Sequence, residues 1–375
     1  MIGRGFKLNL KCISILIWLS WFNITMANDG AYFATGNQLI PINETDIEVR
    51  KEILSLKKVN NEKIEVTVYY EFYNPNKEKE ITVGFEAFAP YGDVDGTPKK
   101  GLHPYMRNFT VNMNANVLDY KVAYVYDSLY SKNGKVESES LEDILKDNEP
   151  NYPDFFYVYH FKAVFKKGIN IVRHTYEYDV SGGVDYNYYF EYVLTAANRW
   201  GNGRIDDFTL NIDMGEFENY KISKSFFKDS SEWQIKGIGK YMNLEAREGS
   251  MIEKDALDIR MQKGNMVFKK KKFTPSGELF LYSFNYYGRY DSFDSKTQNL
   301  PFPIYFQDRV GKVPVSSLDK KILRNWPFAR RGYVFKNKDL KNYFEKQSWY
   351  IPNPTYRPNL DALHVQEQEW LLKWE

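Results

Sequence analysis

Cysteine, histidine and net charge are all scarce in this sequence, and each scarcity removes a class of chemistry. Its one cysteine is Cys12. The four histidines, His103, His160, His174 and His364, are never four residues apart, and none stands at a zinc-ligand spacing. No metal site and no cofactor is therefore predicted. Neither a G-x-S-x-G elbow nor a glycine-rich phosphate loop occurs. The formal charge of 375 residues is only +2, whereas nucleic-acid binders usually carry a strong basic excess. Nucleic acid is thus not a predicted partner. Long apolar runs are missing as well. The run from Cys12 to Phe22 covers about 11 residues, short of the roughly 20 that span a bilayer.

What that short run has instead is the organisation of a secretory signal. Arg4, Lys7 and Lys11 precede it without an acid, and Thr25 and Ala27 supply small residues at the −3 and −1 positions. Cleavage after Ala27 is the expectation, giving a signal peptide at 1–27, an exported periplasmic or extracellular chain and no membrane span after cleavage. Cys12 follows Lys11 rather than a small residue, which argues against lipid attachment. The mature chain would hold no cysteine, hence no disulfide and no thiol chemistry. Removing three cations leaves it near 2 − 3 = −1.

Aromatics are abundant, 17% of the chain with 30 tyrosines, and they fall into alternating patterns. In KIEVTVYYEFYNP, Ile64, Val66, Val68, Tyr70 and Phe72 share one face, while Glu65, Thr67, Tyr69 and Glu71 share the other. That period of two is the pattern of a half-buried antiparallel strand. FFYVYHFKAVFKKG repeats it with Tyr157, Tyr159, Phe161, Ala163 and Phe165. Short strands continue to about Phe284, interrupted by one helical stretch at Ser138–Lys146. The fold class read from this is mainly β, an antiparallel β-sandwich or two in tandem over 28–290, followed by a small helical module. A proline-bearing linker is expected at 291–317. In 318–375, Ser317 is expected to cap a first helix that Pro327 interrupts. Asn337 caps a second helix presenting Leu340, Tyr343 and Phe344. Leu360, Leu363, Trp370, Leu371 and Trp374 form the stripe of a third.

The segment LRNWPFARRGYVFKNKDLKNYFEKQSWYIPNP resembles the YARHG domain, a small module of bacterial exported proteins. The resemblance is carried by Leu323, Arg324, Asn325, Ala329, Arg330, Gly332, Tyr333 and Phe335, and by Trp349, Tyr350 and Pro352 at its end. Phe328 replaces the family's tyrosine and Arg331 its histidine, so any chemistry of that histidine is absent from this copy. Residues 28–285 are similar to an uncharacterised family of bacterial exported proteins, a domain of unknown function. The resemblance implies an exported β domain and no activity.

Candidate residues are few. His160 and His174 fall within strands and read as half-exposed sheet residues. Ser181-Gly182-Gly183 reads as a hairpin turn, and Lys269–Lys272 as a strand edge or loop tip that would block edge-to-edge pairing. With 49 acids, accidental carboxylate pairs are unavoidable, and none is nominated for hydrolysis. The module stands out by charge: Asp319–Tyr350 holds nine Lys/Arg and three acids, a net of +6. Arg324, Trp326, Arg330, Arg331, Trp349 and Tyr350 are the candidate binding residues. Guanidinium groups suit carboxylate and phosphate, and the aromatic rings suit stacking. Asn325, Ala329, Gly332, Tyr333, Phe335 and Phe344 are the expected motif core. Arg324 or Arg330 is expected to hold the corner, with Arg331 facing outward. Two functions remain open. One is a non-catalytic envelope protein binding an anionic cell-wall polymer or an envelope protein. The other is a secreted hydrolase of cell-wall material using carboxylates of the β region.

Overall fold

The computed structural model describes residues 30–32, 36–37, 39–42, 45–59, 62–126, 131–132, 135–183, 185–248, 254–284, 316–347 and 349–375. The expected signal peptide and nearly all of the expected linker lie outside them. Thirteen described strands have five residues or more: β1 (Glu48–Val59), β2 (Lys63–Asn74), β3 (Lys79–Phe88), β4 (Met106–Met113), β5 (Lys121–Val125), β6 (Phe156–Phe165), β7 (Gly168–Asp179), β8 (Tyr186–Val193), β9 (Ile205–Asp213), β10 (Asn219–Ser223), β11 (Trp233–Leu244), β12 (Ala256–Phe273) and β13 (Leu279–Phe284). The described helices of seven residues or more are α1 (Leu141–Asp147), α2 (Ser317–Arg330), α3 (Lys338–Phe344) and α4 (Val365–Lys373). The chain is mostly β with a small helical C-terminal part, as its patterning predicts.

The large sheet has the order β8-β13-β10-β12-β9-β1-β2-β7-β4, with β11 also on β12. The strands of each half are antiparallel neighbours, apart from the short edge strand Gly36–Asn37, which lies parallel on β8, and the halves join through a parallel pair, β9 on β1, from Ile205↔Val49 to Asp213↔Lys57. This corrects the purely antiparallel reading. The cause is local. Gly201 N donates to Ile47 O at 2.8 Å. The Asn202 side chain accepts from Val49 N and donates to Val49 O. The two strands are thus stapled at their starts and must run the same way. A second sheet, β5-β6-β3 with Ile40–Pro41, covers the first half. Phe85 of β3 meets Tyr176 and His174 of β7, and Phe109 of β4 meets Tyr159 of β6. One hydrophobic cluster runs from Leu39 through Phe72 and Trp200 to Phe268 and Leu281, so the two halves share a core.

The alternating pattern predicts burial well: Ile64, Val66, Val68, Tyr70 and Phe72 are all buried. Three local expectations change. Helix α1 is shorter than expected, capped by Ser140, and buries only Ile144. Ser181 pairs back with Tyr189 across the expected turn, but Gly182–Gly183 also pairs with Gly30–Ala31. Lys269–Lys271 lie inside β12, paired with β9.

His174 is fully buried, not half-exposed. Its Nδ1 sits 3.0 Å from Thr110 O, so Nδ1 carries the proton. Its Nε2 is buried with no hydrogen-bond partner among the described residues. Burial pulls its pKa down to about 4, and that of His103 down to about 3. Both lie below the unfolded value of about 6.5, so the unfolded chain binds more protons as pH falls. Stability should therefore be intact above about pH 6.5 and fall towards pH 4, by roughly 2 kcal/mol per histidine at pH 5. Denaturant melts between pH 7 and 5 check this, and His174→Phe should flatten the dependence. An unchanged slope in that variant counts against the assignment.

Candidate functional site

The opening of α2 is set by a capping box. Asp319 N donates to Ser316 Oγ at 3.0 Å, and Ser316 N donates to Asp319 Oδ2 at 3.1 Å. The cap is Ser316, one residue before the expected Ser317. Pro327 does not interrupt the helix, contrary to expectation. Proline removes the N–H that would bond the carbonyl four residues earlier, here Leu323 O. The indole N–H of Trp370 in α4 takes that carbonyl at 2.8 Å. Trp326 and Trp370 are both fully buried and stack with planes 4° apart.

FARRGY is the helix stop. Tyr333 N donates to Phe328 O at 3.0 Å, and Gly332 N donates to Ala329 O at 2.8 Å, the paired bonds of a Schellman cap. Gly332 has φ +81°, and a Cβ there would lie 2.3 Å from Ile351 O. Glycine is required twice over, by conformation and by the close approach of the 351–353 segment, whose Asn353 N donates to Gly332 O at 2.7 Å.

Arg331 turns inward. Its Nη1 and Nη2 donate to Glu367 Oε1 and Oε2, each at 2.7 Å, and Nη1 also donates to Pro327 O at 2.8 Å. Glu367 is fully buried and also accepts from His364 N as the capping box of α4. The residue expected outside is thus the one that ties α2 to α4. The guanidinium that faces solvent is Arg324, paired with Glu375 at 2.9 Å. Arg330 lies with its guanidinium over the Phe217 ring at 5.5 Å, and that of Arg331 is 5.6 Å from the same ring. Burial pulls the Arg330 pKa down to about 10, opposed by the nearby Glu367 carboxylate. Phe217, between β9 and β10, has φ +57°, a strained setting for an aromatic residue.

Except for Asn325, which was expected in the motif core and instead sits half-exposed on α2, the remaining candidates fill the module's interior. Trp349 and Tyr350 are buried with Phe335, Phe344 and Ala329. Tyr350 donates its hydroxyl to Tyr333 O at 2.8 Å. Asn325 donates to Lys321 O one turn back. The module docks on β12 and β11: Gln262 Nε2 donates to Ile351 O at 2.7 Å, and Lys240 Nζ lies 3.5 Å from Tyr350 O.

Residues 312–374 match the YARHG domain. The match does not extend into residues 28–285. No curated protein matches the chain. Among solved structures, the chain is similar to a Legionella pneumophila protein provisionally described as nutrient-binding, at 18% identity and TM-score 0.47, covering 92% of this chain and 98% of that one. It is also similar to baculovirus P35, at 11% identity and TM-score 0.27, covering 66% and 99%. A third is the M1 zinc metallopeptidase of Deinococcus radiodurans, at 10% identity and TM-score 0.26, covering 76% of this chain and 54% of that one.

Glu367, Phe217 and Gln262 were missed from the sequence. Glu367 had a signal. It falls on the stripe of Leu363, Trp370, Leu371 and Trp374, and a carboxylate on a buried stripe needs a cationic partner. Phe217 and Gln262 had none, because they reach the YARHG domain only through the fold. The carboxylates of Glu191 and Glu278 are close enough to interact: burial first, then Glu278, pushes Glu191 up. Glu278 is occupied by Leu194 N, Thr195 N and the Thr195 hydroxyl, which makes it a brace for the 195–199 turn. No helix among the described residues is long and apolar enough to cross a membrane.

Proposed function

We propose that this chain is an exported bacterial envelope protein in which a β scaffold presents a basic YARHG domain to an anionic cell-envelope polymer or a partner protein. One observation carries the reading. Of the nine Lys/Arg between 319 and 350, Arg330 and Arg331 turn inward, and Lys320, Lys321, Arg324, Lys336, Lys338, Lys341 and Lys346 are exposed. Only Asp339 and Glu345 are exposed acids in that stretch, so its surface holds 7 − 2 = +5. The proposed face is this lysine-rich surface. Trp326, Trp349 and Tyr350 lie behind it and stiffen the domain.

The test is co-sedimentation of the mature chain with isolated cell envelopes. Lys320→Gln/Lys321→Gln/Lys338→Gln should weaken binding at least severalfold while leaving the melting temperature in place, since exposed changes stay within about 0.5 kcal/mol. Binding should also fade towards about 1 M salt, where the Debye length is about 3 Å. Binding indifferent to both the substitutions and salt would refute the electrostatic reading.

A further inference from the structure

The outer face of the large sheet carries a second concentration of positive charge, far from FARRGY in sequence. Strands β1, β9, β12 and β11 form an open groove of about 520 Å³ lined by Lys51, Lys236, Lys269, Lys270 and Lys271, with one carboxylate, Asp207. Ile53, Thr209 and Asn211 complete its lining. The strand register places these groups. Asp207 stands opposite Lys51 on one side and Lys271 on the other, and Thr209 stands opposite Ile53 and Lys269. Alternate residues such as Leu54, Phe208 and Leu210 are buried in the core, which anchors the strands beneath the groove.

Part of this charge is compensated. Lys271 pairs with Asp207 at 2.8 Å, Lys270 with Glu232 at 2.5 Å, and Lys51 approaches Glu71 at 4.0 Å. Lys236 and Lys269 are exposed and have no ion pair among the described residues. Like charges gathered on one sheet face destabilise it, so the cluster costs stability unless something anionic joins it. Lys269 and Lys271 project to the same side at about 6.8 Å spacing, two residues at about 3.4 Å each. The lining contains no arginine. A guanidinium fork pairs with single carboxylate or phosphate groups alike, whereas ammonium groups act as compact point charges and are common phosphate ligands; lysines spaced along neighbouring strands therefore suit a chain of closely spaced phosphoryl charges. Thr209, whose hydroxyl has no partner among the described residues, adds a neutral donor on the groove wall.

We infer that this groove is a binding site for a condensed phosphate, a chain of two or more phosphoryl groups in series, with Lys236 and Lys269 as its principal contacts. The site is separate from the YARHG face and stands independently of it. The probe is inorganic polyphosphate, titrated into the full mature chain by calorimetry, with orthophosphate and poly-glutamate as parallel arms. Polyphosphate should bind saturably, and orthophosphate and poly-glutamate at least tenfold more weakly. Lys236→Gln/Lys269→Gln should lower polyphosphate affinity about tenfold and reduce the slope of log affinity against log salt by roughly 1–2, the number of contacts removed. Lys320→Gln/Lys321→Gln/Lys338→Gln should leave this binding unchanged. The proposal is overturned by absence of saturable binding, by equal binding of poly-glutamate, or by an affinity that responds only to the YARHG-face variant. That last outcome would leave the envelope reading standing and remove the groove.

Discussion

Arg331→Ala is expected to destabilise the YARHG domain by about 3–5 kcal/mol, the cost of leaving a buried carboxylate without its cation. Glu367 is fully buried and receives both guanidinium prongs at 2.7 Å. Losing Arg331 also removes a donor from Pro327 O, one of the carbonyls exposed by the helix end. Replacing both members by apolar groups of similar volume should behave differently, because a buried pair contributes little beyond a well-packed apolar substitute. Arg331→Met/Glu367→Leu should therefore recover most of the loss. Denaturant unfolding followed by near-ultraviolet circular dichroism measures both. A shift within about 0.5 kcal/mol for Arg331→Ala would mark the residue as solvated surface and refute the pairing. Arg330→Ala should cost less, about 0.5–2 kcal/mol, the range of a cation–π contact, since its place over Phe217 is at the docking surface.

The other large effect belongs to Trp370. Truncation of a buried tryptophan costs about 3–5 kcal/mol, and here the Leu323 carbonyl loses its donor as well, for roughly 1–3 kcal/mol more. Trp370→Ala should thus unfold the YARHG domain at temperatures where the β region remains intact. Trp370→Phe removes the N–H together with part of the ring, so the hydrogen bond is read from its coupling to Pro327 and not from the single penalty. Its penalty should shrink in a Pro327→Ala background, where the new backbone N–H of residue 327 can reach Leu323 O. Additive penalties in that double-mutant cycle would mean that Trp370 and Pro327 are not coupled, and that the indole serves only to fill space.

Much of the β region was open to sequence reasoning because its information is local. A strand that buries one face must alternate, so Ile64–Phe72 and Tyr157–Phe165 announced both their structure and their core residues. Turn and cap residues are local too, and Asn337 caps α3 as expected. The YARHG match likewise rests on contiguous residues. Gly332 was readable as part of the motif core, though the reason for a glycine there, a left-handed cap pressed against Ile351, was not.

What the tertiary structure decided is everything that depends on a partner far along the chain. The parallel seam of β9 on β1 arises because Gly201 and Asn202 bond the start of a strand some 150 residues earlier. Pro327 stays inside a helix because Trp370 supplies the donor that proline withholds. Arg331 faces inward because α4 brings Glu367 to it across 36 residues, and no periodicity within FARRGY could separate it from Arg330. The lysine groove exists only where strand register aligns β1, β9, β12 and β11. By itself the sequence determined the mainly β class and the helical C-terminal domain, since burial on one face writes a repeating pattern into the chain. The direction of each arginine and the meeting of the lysines were left to packing, because a charged side chain is placed by the partner it meets and not by its neighbours in sequence.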